Sequence, residues 1–174
     1  MKVLLNVRVL LASFLLMFIA SNAYSDCRND IFEDTPSSDF IVNINGTVTH
    51  ISTGLMWMRC TLGQTWNGTT CIDSANLMDW PSSLSAAKNY KLDNYSDWRL
   101  PNINELESIA ERRCAEPAIN ENIFPYTRVG YYWSSTPVIA DPQRTAAFML
   151  NFINGGVYSS PTTNKLAVRL VRGE

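Results

Sequence analysis

The first 23 residues set the conditions under which the rest of the chain folds. Met1-Lys2 and Arg8 precede an unbroken apolar run from Val9 to Ala20, closed by the small residues Ser21-Asn22-Ala23. A charged start, a short apolar stretch and small residues at its end predict a cleavable export signal over residues 1–23. The run is short for a bilayer span, which disfavours an uncleaved anchor. A lipid anchor on Cys27 fits less well still, because Tyr24-Ser25-Asp26 places an aromatic and an acid where lipoprotein peptidases want small or apolar residues. The mature chain is expected to start near Tyr24 and to fold outside the cytoplasm, in the periplasm, at the cell surface or in the medium.

Outside the cytoplasm cysteines oxidise, and all four (Cys27, Cys60, Cys71, Cys114) lie in the mature part. Two disulfides are expected. The sequence allows three pairings; the most local joins Cys60 to Cys71 around a polar loop holding Gly63 and Gly68, which leaves Cys27 for Cys114. A metal site lacks ligands, since no Cys-x-x-Cys is present and His50 is the only histidine.

Without the signal, about 150 residues remain, enough for one domain with its own core. Losing Lys2 and Arg8 leaves twelve basic against sixteen acidic residues, a formal charge of about −4, so nucleic acid is not an expected partner. The charges are mixed along the chain, with no repeat, heptad or low-complexity tract. Five Trp and seven Tyr either fill an irregular core or line a recognition surface, and the core takes most of them.

The pattern along the chain is of short strands and two helices. Residues 24–39, with Thr35-Pro36-Ser37-Ser38, read as an extended lead-in tied down by Cys27, ahead of a domain over 40–174. Asn45-Gly46 separates Phe40-Ile41-Val42 from Thr47-Val48-Thr49-His50, a hairpin signal. Leu55 to Met58 reads as a buried strand. Pro81 in a first turn, with Leu84, Ala87 and Tyr90 on one side, predicts a helix over 80–90. Asn102 with Glu105 three residues on predicts a capping box, followed by a helix whose Ile103, Leu106, Ile109 and Ala110 share a face. Tyr131 to Ser134 and Ala147 to Phe152 read as strands, Asn154-Gly155-Gly156 as a turn into Val157-Tyr158, and Leu166 to Arg172 as a closing strand. In that last segment Arg169 and Arg172 are expected to point outward or to pair with acids. The class is α+β.

Several blocks carry a family likeness: Asn45-Gly46-Thr47-Val48-Thr49, Thr53-Gly54-Leu55-Met56-Trp57, Asp97-Trp98-Arg99-Leu100-Pro101-Asn102, Cys114 with Pro117-Ala118-Ile119-Asn120, Phe124-Pro125, Tyr132-Trp133-Ser134-Ser135, and Val168-Arg169-Leu170-Val171-Arg172. Together, from about Phe40 to the C-terminus, they resemble the Lcl C-terminal domain family, named for the Legionella collagen-like adhesin. The resemblance implies a C-type-lectin-like mixed fold with two short helices, short antiparallel strands and long irregular loops. Arg99-Leu100-Pro101 before a Glu-bearing helix is also similar to the formylglycine-generating sulfatase-modifying enzymes, which share that fold. Resemblance supplies the fold and not an activity.

The departures matter. Where the family often carries Asp-Asn-Gly-Asp-Gly-Thr-Val-Thr-Asp, this chain has Val42 to His50 with three acidic positions missing, so the loop reads as a plain hairpin. Glu116-Pro117-Ala118 and Trp133-Ser134-Ser135 lack the carboxamide and acid of calcium-dependent sugar-binding lectins. Asp93 to Asp97 lacks the Gly and terminal Glu of an EF-hand and reads as a turn. No metal and no cofactor is expected.

Catalytic requirements also go unmet in the sequence. His50 would have to serve every Ser or Cys nucleophile, no Gly-x-Ser-x-Gly elbow is present, and no cysteine follows Cys114 to resemble the formylglycine-generating pair. Glu105 and Glu107, two apart on a helix, face different directions and read as solvated surface. The expectation is therefore not an enzyme but an exported, disulfide-stabilised binding module recognising a glycan or an envelope protein. A structural subunit of a pilus, biofilm or envelope assembly is the alternative, and an unrecognised enzyme with a polar pocket around His50 the second. The expected recognition loops are 126–131, 138–145 and 158–165, where Arg128, Tyr131, Arg144, Tyr158 and Lys165 offer charge and stacking. The family resemblance suggests an anionic saccharide such as a glycosaminoglycan as their ligand; the alternative is scattered surface charge beside core tyrosines.

Overall fold

Asn45-Gly46 turns the chain between β2 (Phe40–Val42) and β3 (Thr47–His50), whose register pairs Ile41 with Thr49. Gly46 is required there twice over. Its φ is +79°, and a Cβ would fall 2.5 Å from Trp66 Cγ. The computed structural model describes residues 26–139, 143 and 145–173; the expected export signal, Tyr24 and Arg144 lie outside them. Among the described residues no helix is long and apolar enough to cross a membrane.

The lead-in is held at both ends. β1 (Asp26–Cys27) pairs with β7 (Cys114–Ala115), and Cys27 is disulfide-bonded to Cys114, 87 residues on. Further along, the buried Glu111 carboxylate accepts the backbone N–H groups of Asp34 at 3.2 Å and Thr35 at 2.8 Å, and the Thr35 hydroxyl at 3.1 Å. Hydrogen bonds to a carboxylate are among the stronger kinds. A 3-10 turn over Ser37–Asp39 then feeds β2.

The second disulfide joins Cys60 to Cys71, and its loop folds as a small hairpin of β5 (Thr65–Trp66) and β6 (Cys71–Ile72). Both bridges match the pairing expected from spacing. Helix α1 spans Trp80–Asn89, capped by Asp79, whose carboxylate accepts the Ser82 N–H at 2.9 Å. Helix α2 (Ile103–Glu107) carries both halves of the expected capping box on Asn102 and Glu105. It is shorter than its apolar face suggests. Ser108 closes it by hydrogen-bonding back to the Glu105 carbonyl, so Ile109 and Ala110 reach the core from the following turn.

Two antiparallel sheets organise the interior. One has the order β11 (Val171–Arg172), β4 (Met56–Met58), β3, β2; the other has the order β10 (Gly156–Pro161), β9 (Ala146–Asn151), β8 (Tyr131–Pro137). Adjacent residues on these strands enter different clusters. Trp57, Tyr132, Leu150 and Val171 join the larger core, while Met58, Trp133, Met149 and Leu170 join the smaller one. Both sheets therefore separate two apolar layers. This is why Leu55 to Met58 and Ala146 to Leu150 read as continuous apolar runs rather than alternating ones. Trp57, Trp98 and Trp133 are all core residues, in line with the expectation that the core takes most of the large aromatics. The class is α+β.

One expectation fails inside this core. Arg169 does not point outward or meet an acid: it is fully buried. Its Nη1 donates to the carbonyls of Met58, at 3.0 Å, and Arg59, and its Nη2 donates to the Thr127 hydroxyl at 2.7 Å. Arg172 does meet its acid, pairing with Asp97 at 2.8 Å.

Candidate functional site

Tyr131 opens β8 opposite Asn151, which in turn pairs with Gly156 at the start of β10. Tyr158, two residues along β10, leans back over Gly156 so that the two tyrosine rings meet edge to face with centroids 6.2 Å apart. Gly156 makes the room, since a Cβ there would lie 2.9 Å from the Tyr158 ring. Both rings stay about 40% exposed, and the Tyr158 hydroxyl is 3.4 Å from the Asn154 amide. Tyr158 thus sits on a strand rather than in the irregular loop that the sequence suggests. An edge-to-face aromatic pair fixes two flat apolar faces with little side-chain freedom left to lose.

The loop before Tyr131 carries the charge. Arg128 is exposed and folds back to donate to the Val129 carbonyl at 3.1 Å. Tyr126, which the sequence reading passed over, is 64% exposed and sits in the left-handed region at φ +55°. A non-glycine residue there costs about 1 kcal/mol or more and persists only where its surroundings hold it. They do. Gln64 donates to the Tyr126 carbonyl at 3.1 Å, and Thr127 bonds the Phe124 carbonyl at 2.7 Å while accepting from Arg169.

Beneath this loop lie two buried guanidiniums. Arg169 rests 4.8 Å above the Phe124 ring, and burial draws its pKa down to about 10, so it is still a cation at neutral pH. Arg59 donates to the carbonyls of Ile123 at 2.7 Å and Asn122 at 3.0 Å, stacks 4.4 Å over Trp66, and is also lowered by burial. Tyr132 packs beside Arg169 and bonds the Thr61 hydroxyl at 2.8 Å; burial raises its phenol. Among the described residues, none of Arg59, Arg128 and Arg169 has a carboxylate within ion-pair distance. The sequence signal for this is ambiguous: Arg169 interrupts the apolar segment Leu166-Ala167-Val168-Arg169-Leu170-Val171, which reads equally as the polar position of an alternating strand.

The remaining expected contacts do not converge here. Lys165 is 3.8 Å from Asp79, at the α1 N-terminus. Arg144 lies outside the described residues. His50 is buried, stacked at 4.8 Å on Phe40, with its ring nitrogens 3.2 Å from the Ser52 hydroxyl and 3.0 Å from that of Thr53. Desolvation lowers its pKa, against a smaller pull upward from Asp39. Glu105 is not solvated surface: it makes a two-pronged ion pair with Arg99 at 2.7 and 2.8 Å. Asp93 and Asn94 form the tight turn expected of that segment, closed by mutual backbone bonds between Leu92 and Tyr95. Among the described residues no three His, Cys, Asp or Glu side chains are placed to hold a metal ion.

Two disulfides around an α+β core with held surface loops fit a disulfide-stabilised extracellular module. Its family is established by comparison: the family model described as the Lcl C-terminal domain matches residues 46–172, and the chain belongs to that family. No curated protein matches the chain.

Proposed function

We propose that this is an exported, non-enzymatic recognition module on a C-type-lectin-like scaffold, and that it binds an anionic glycan at the surface formed by the 126–131 loop and Tyr158. One observation carries the reading. The exposed Tyr131–Tyr158 pair directly follows the loop that carries the exposed Arg128, and among the described residues no carboxylate is ion-paired to that arginine. Stacking rings accept the apolar faces of sugars, while uncompensated cations favour sulfate or carboxylate groups over neutral ones. The mature chain as a whole is acidic, so the preference is local and does not extend to polyanions at large. The environment of His50, with both ring nitrogens beside hydroxyls, supports a structural part for the one histidine.

The test is a glycan array on the processed protein, with and without chelator and over rising salt, followed by titration of Tyr131→Ala, Tyr158→Ala and Arg128→Ala. Salt-sensitive, chelator-insensitive binding to sulfated sugars, lost in the tyrosine variants and weakened about tenfold in the arginine one, is the expected result. No binding to any glycan would favour a structural subunit of an envelope assembly instead.

A further inference from the structure

Strand β2 forms one edge of its sheet, and the ladder fixes which of its backbone groups are free. Asn43 N–H donates to the Thr47 carbonyl and Ile51 N–H to the Asp39 carbonyl. Hydrogen-bonded pairs alternate along an antiparallel ladder, so Ile41 faces β3 as they do, and Phe40, Val42 and Ile44 face the open side. The other partner of β3 agrees: Arg59 N–H donates to the Gly46 carbonyl and His50 N–H to the Leu55 carbonyl, which turns Val48 toward β4 and away from Val42. On the open side, the Phe40 N–H is taken by the Ser37 carbonyl and the Ile44 carbonyl by the Trp66 indole. That leaves the Val42 N–H and carbonyl, the Ile44 N–H and the Phe40 carbonyl without a partner among the described residues.

Those four groups are self-complementary about Val42. We infer that β2 is a docking edge for a second copy of this chain, joined antiparallel across a two-fold axis at Val42 into one continuous eight-stranded sheet. Each Val42 N–H then donates to the partner's Val42 carbonyl, and each Ile44 N–H donates to the partner's Phe40 carbonyl, which uses all the free groups and leaves none over. The side chains agree with the backbone. Val42 is 49% exposed and Ile44 98%; in this register Val42 stacks on Val42 of the partner subunit, and Ile44 gains the partner's Phe40 as neighbour. Opposed positions carry no like charges, since Asp39 comes opposite the partner's Asn45. Nothing guards the edge: the segment from Phe40 to Ile44 has no Lys, no Pro and no inward charge, the devices that keep exposed strands from pairing. In this register the Phe40 N–H comes opposite the partner's Ile44 carbonyl, and both are already taken within each chain, so a second copy leaves no group orphaned where a foreign strand would leave one carbonyl and one N–H facing capped groups. With an edge this short the interface belongs to the small, weak class.

The experiment is sedimentation equilibrium of the exported, processed protein over a wide concentration range, with amide hydrogen exchange at each concentration. A reversible dimer is expected, with Val42 and Ile44 amides becoming protected as it forms. Ile44→Lys, at a position outside the core, is expected to weaken association at least tenfold, and Val42→Pro to do the same by removing one donor from each copy. A chain that stays monomeric at the highest soluble concentration would overturn the inference. So would a dimer whose Val42 and Ile44 amides exchange freely, one unaffected by Ile44→Lys, or protection of those amides only when another protein is bound.

Discussion

Replacing Glu105 by Ala should remove two supports at once, because the carboxylate serves both the helix start and the chain end. It accepts the Asn102 N–H at 2.7 Å as half of the capping box, and it holds Arg99 through both oxygens. Arg99 in turn donates to the Gly173 carbonyl at 2.8 Å, while its backbone exchanges bonds with Val171. The Glu105 side chain is 16% exposed, so the pair is less screened than a surface one. Losing the cap costs about 1 kcal/mol and losing a two-pronged, half-buried ion pair about 1–2, for roughly 2–3 kcal/mol together. For a chain this size that is about 4–12 °C in Tm.

Urea and thermal unfolding of the processed protein measure the loss, and a double-mutant cycle with Arg99→Met isolates the pair at about 1 kcal/mol of coupling. The pH dependence supplies a separate check. Burial alone would raise the Glu105 carboxyl, but the Arg99 guanidinium and the Asn102 N–H outweigh it and hold it below the ordinary value. A depressed carboxyl stabilises the fold fully above its unfolded pKa, and that contribution is lost as pH falls through the lower folded value. The gap between wild type and Glu105→Gln should thus be constant near neutrality and close in acid. Additive single losses, or a gap that persists at low pH, would refute the reasoning.

Three further outcomes are expected. Arg169→Met leaves the carbonyls of Met58 and Arg59 and the Thr127 hydroxyl without their donor, and should lower stability by about 3 kcal/mol in urea; an unchanged midpoint would remove Arg169 from its assigned part. Cys27→Ser with Cys114→Ser opens a loop of 87 residues and should cost about 4–5 kcal/mol, against about 3 for the Cys60 and Cys71 pair, whose loop spans 11; calorimetry compares them, and the reverse order would show that the lead-in is not held by its bridge. Glu111→Gln keeps the shape but gives up acceptor capacity toward Asp34 and Thr35, so limited proteolysis should cut the lead-in faster, with cleavage at the wild-type rate counting against the anchor.

What was legible in the sequence is what local chemistry determines. Asn45-Gly46, the Asn102 to Glu105 box, Asn154-Gly155-Gly156 and the short disulfide are each written in adjacent residues, and each stands where expected. The Asp79 cap was equally local, two residues ahead of Pro81, and the helix start was placed from Pro81 alone. Less was legible where partners are far apart. Glu105 looked like solvent-facing surface because nothing in the sequence says that Arg99 turns back onto it. Arg169 looked like an alternating strand residue because alternation presumes that one face meets water, and this sheet has cores on both. Tyr131 and Tyr158 were individually visible, but their meeting depends on the β8–β9–β10 register and on the space over Gly156.

Arg169 and Arg59 also bear on how a loop can present a residue in an unfavourable conformation. The 122–128 segment has no regular secondary structure to satisfy its carbonyls, and a buried carbonyl without a donor costs about 1–3 kcal/mol. Two guanidiniums reach it from below, at Asn122 and Ile123 and, through the Thr127 hydroxyl, at Phe124. A lysine would offer a single ammonium in place of this planar fork, and a carboxylate partner would consume the donors that the carbonyls need. The absence of an ion-paired acid beside Arg59 and Arg169 among the described residues is therefore consistent with the structural task alone. The same two residues thus brace the loop that carries Arg128. On that reasoning Arg169→Lys should loosen Tyr126 and weaken anion binding together, whereas Arg128→Ala should weaken binding without loosening the loop. Amide exchange at residues 126–128, measured beside the glycan titration, separates the two effects, and a loop that exchanges no faster in Arg169→Lys would break the link between them.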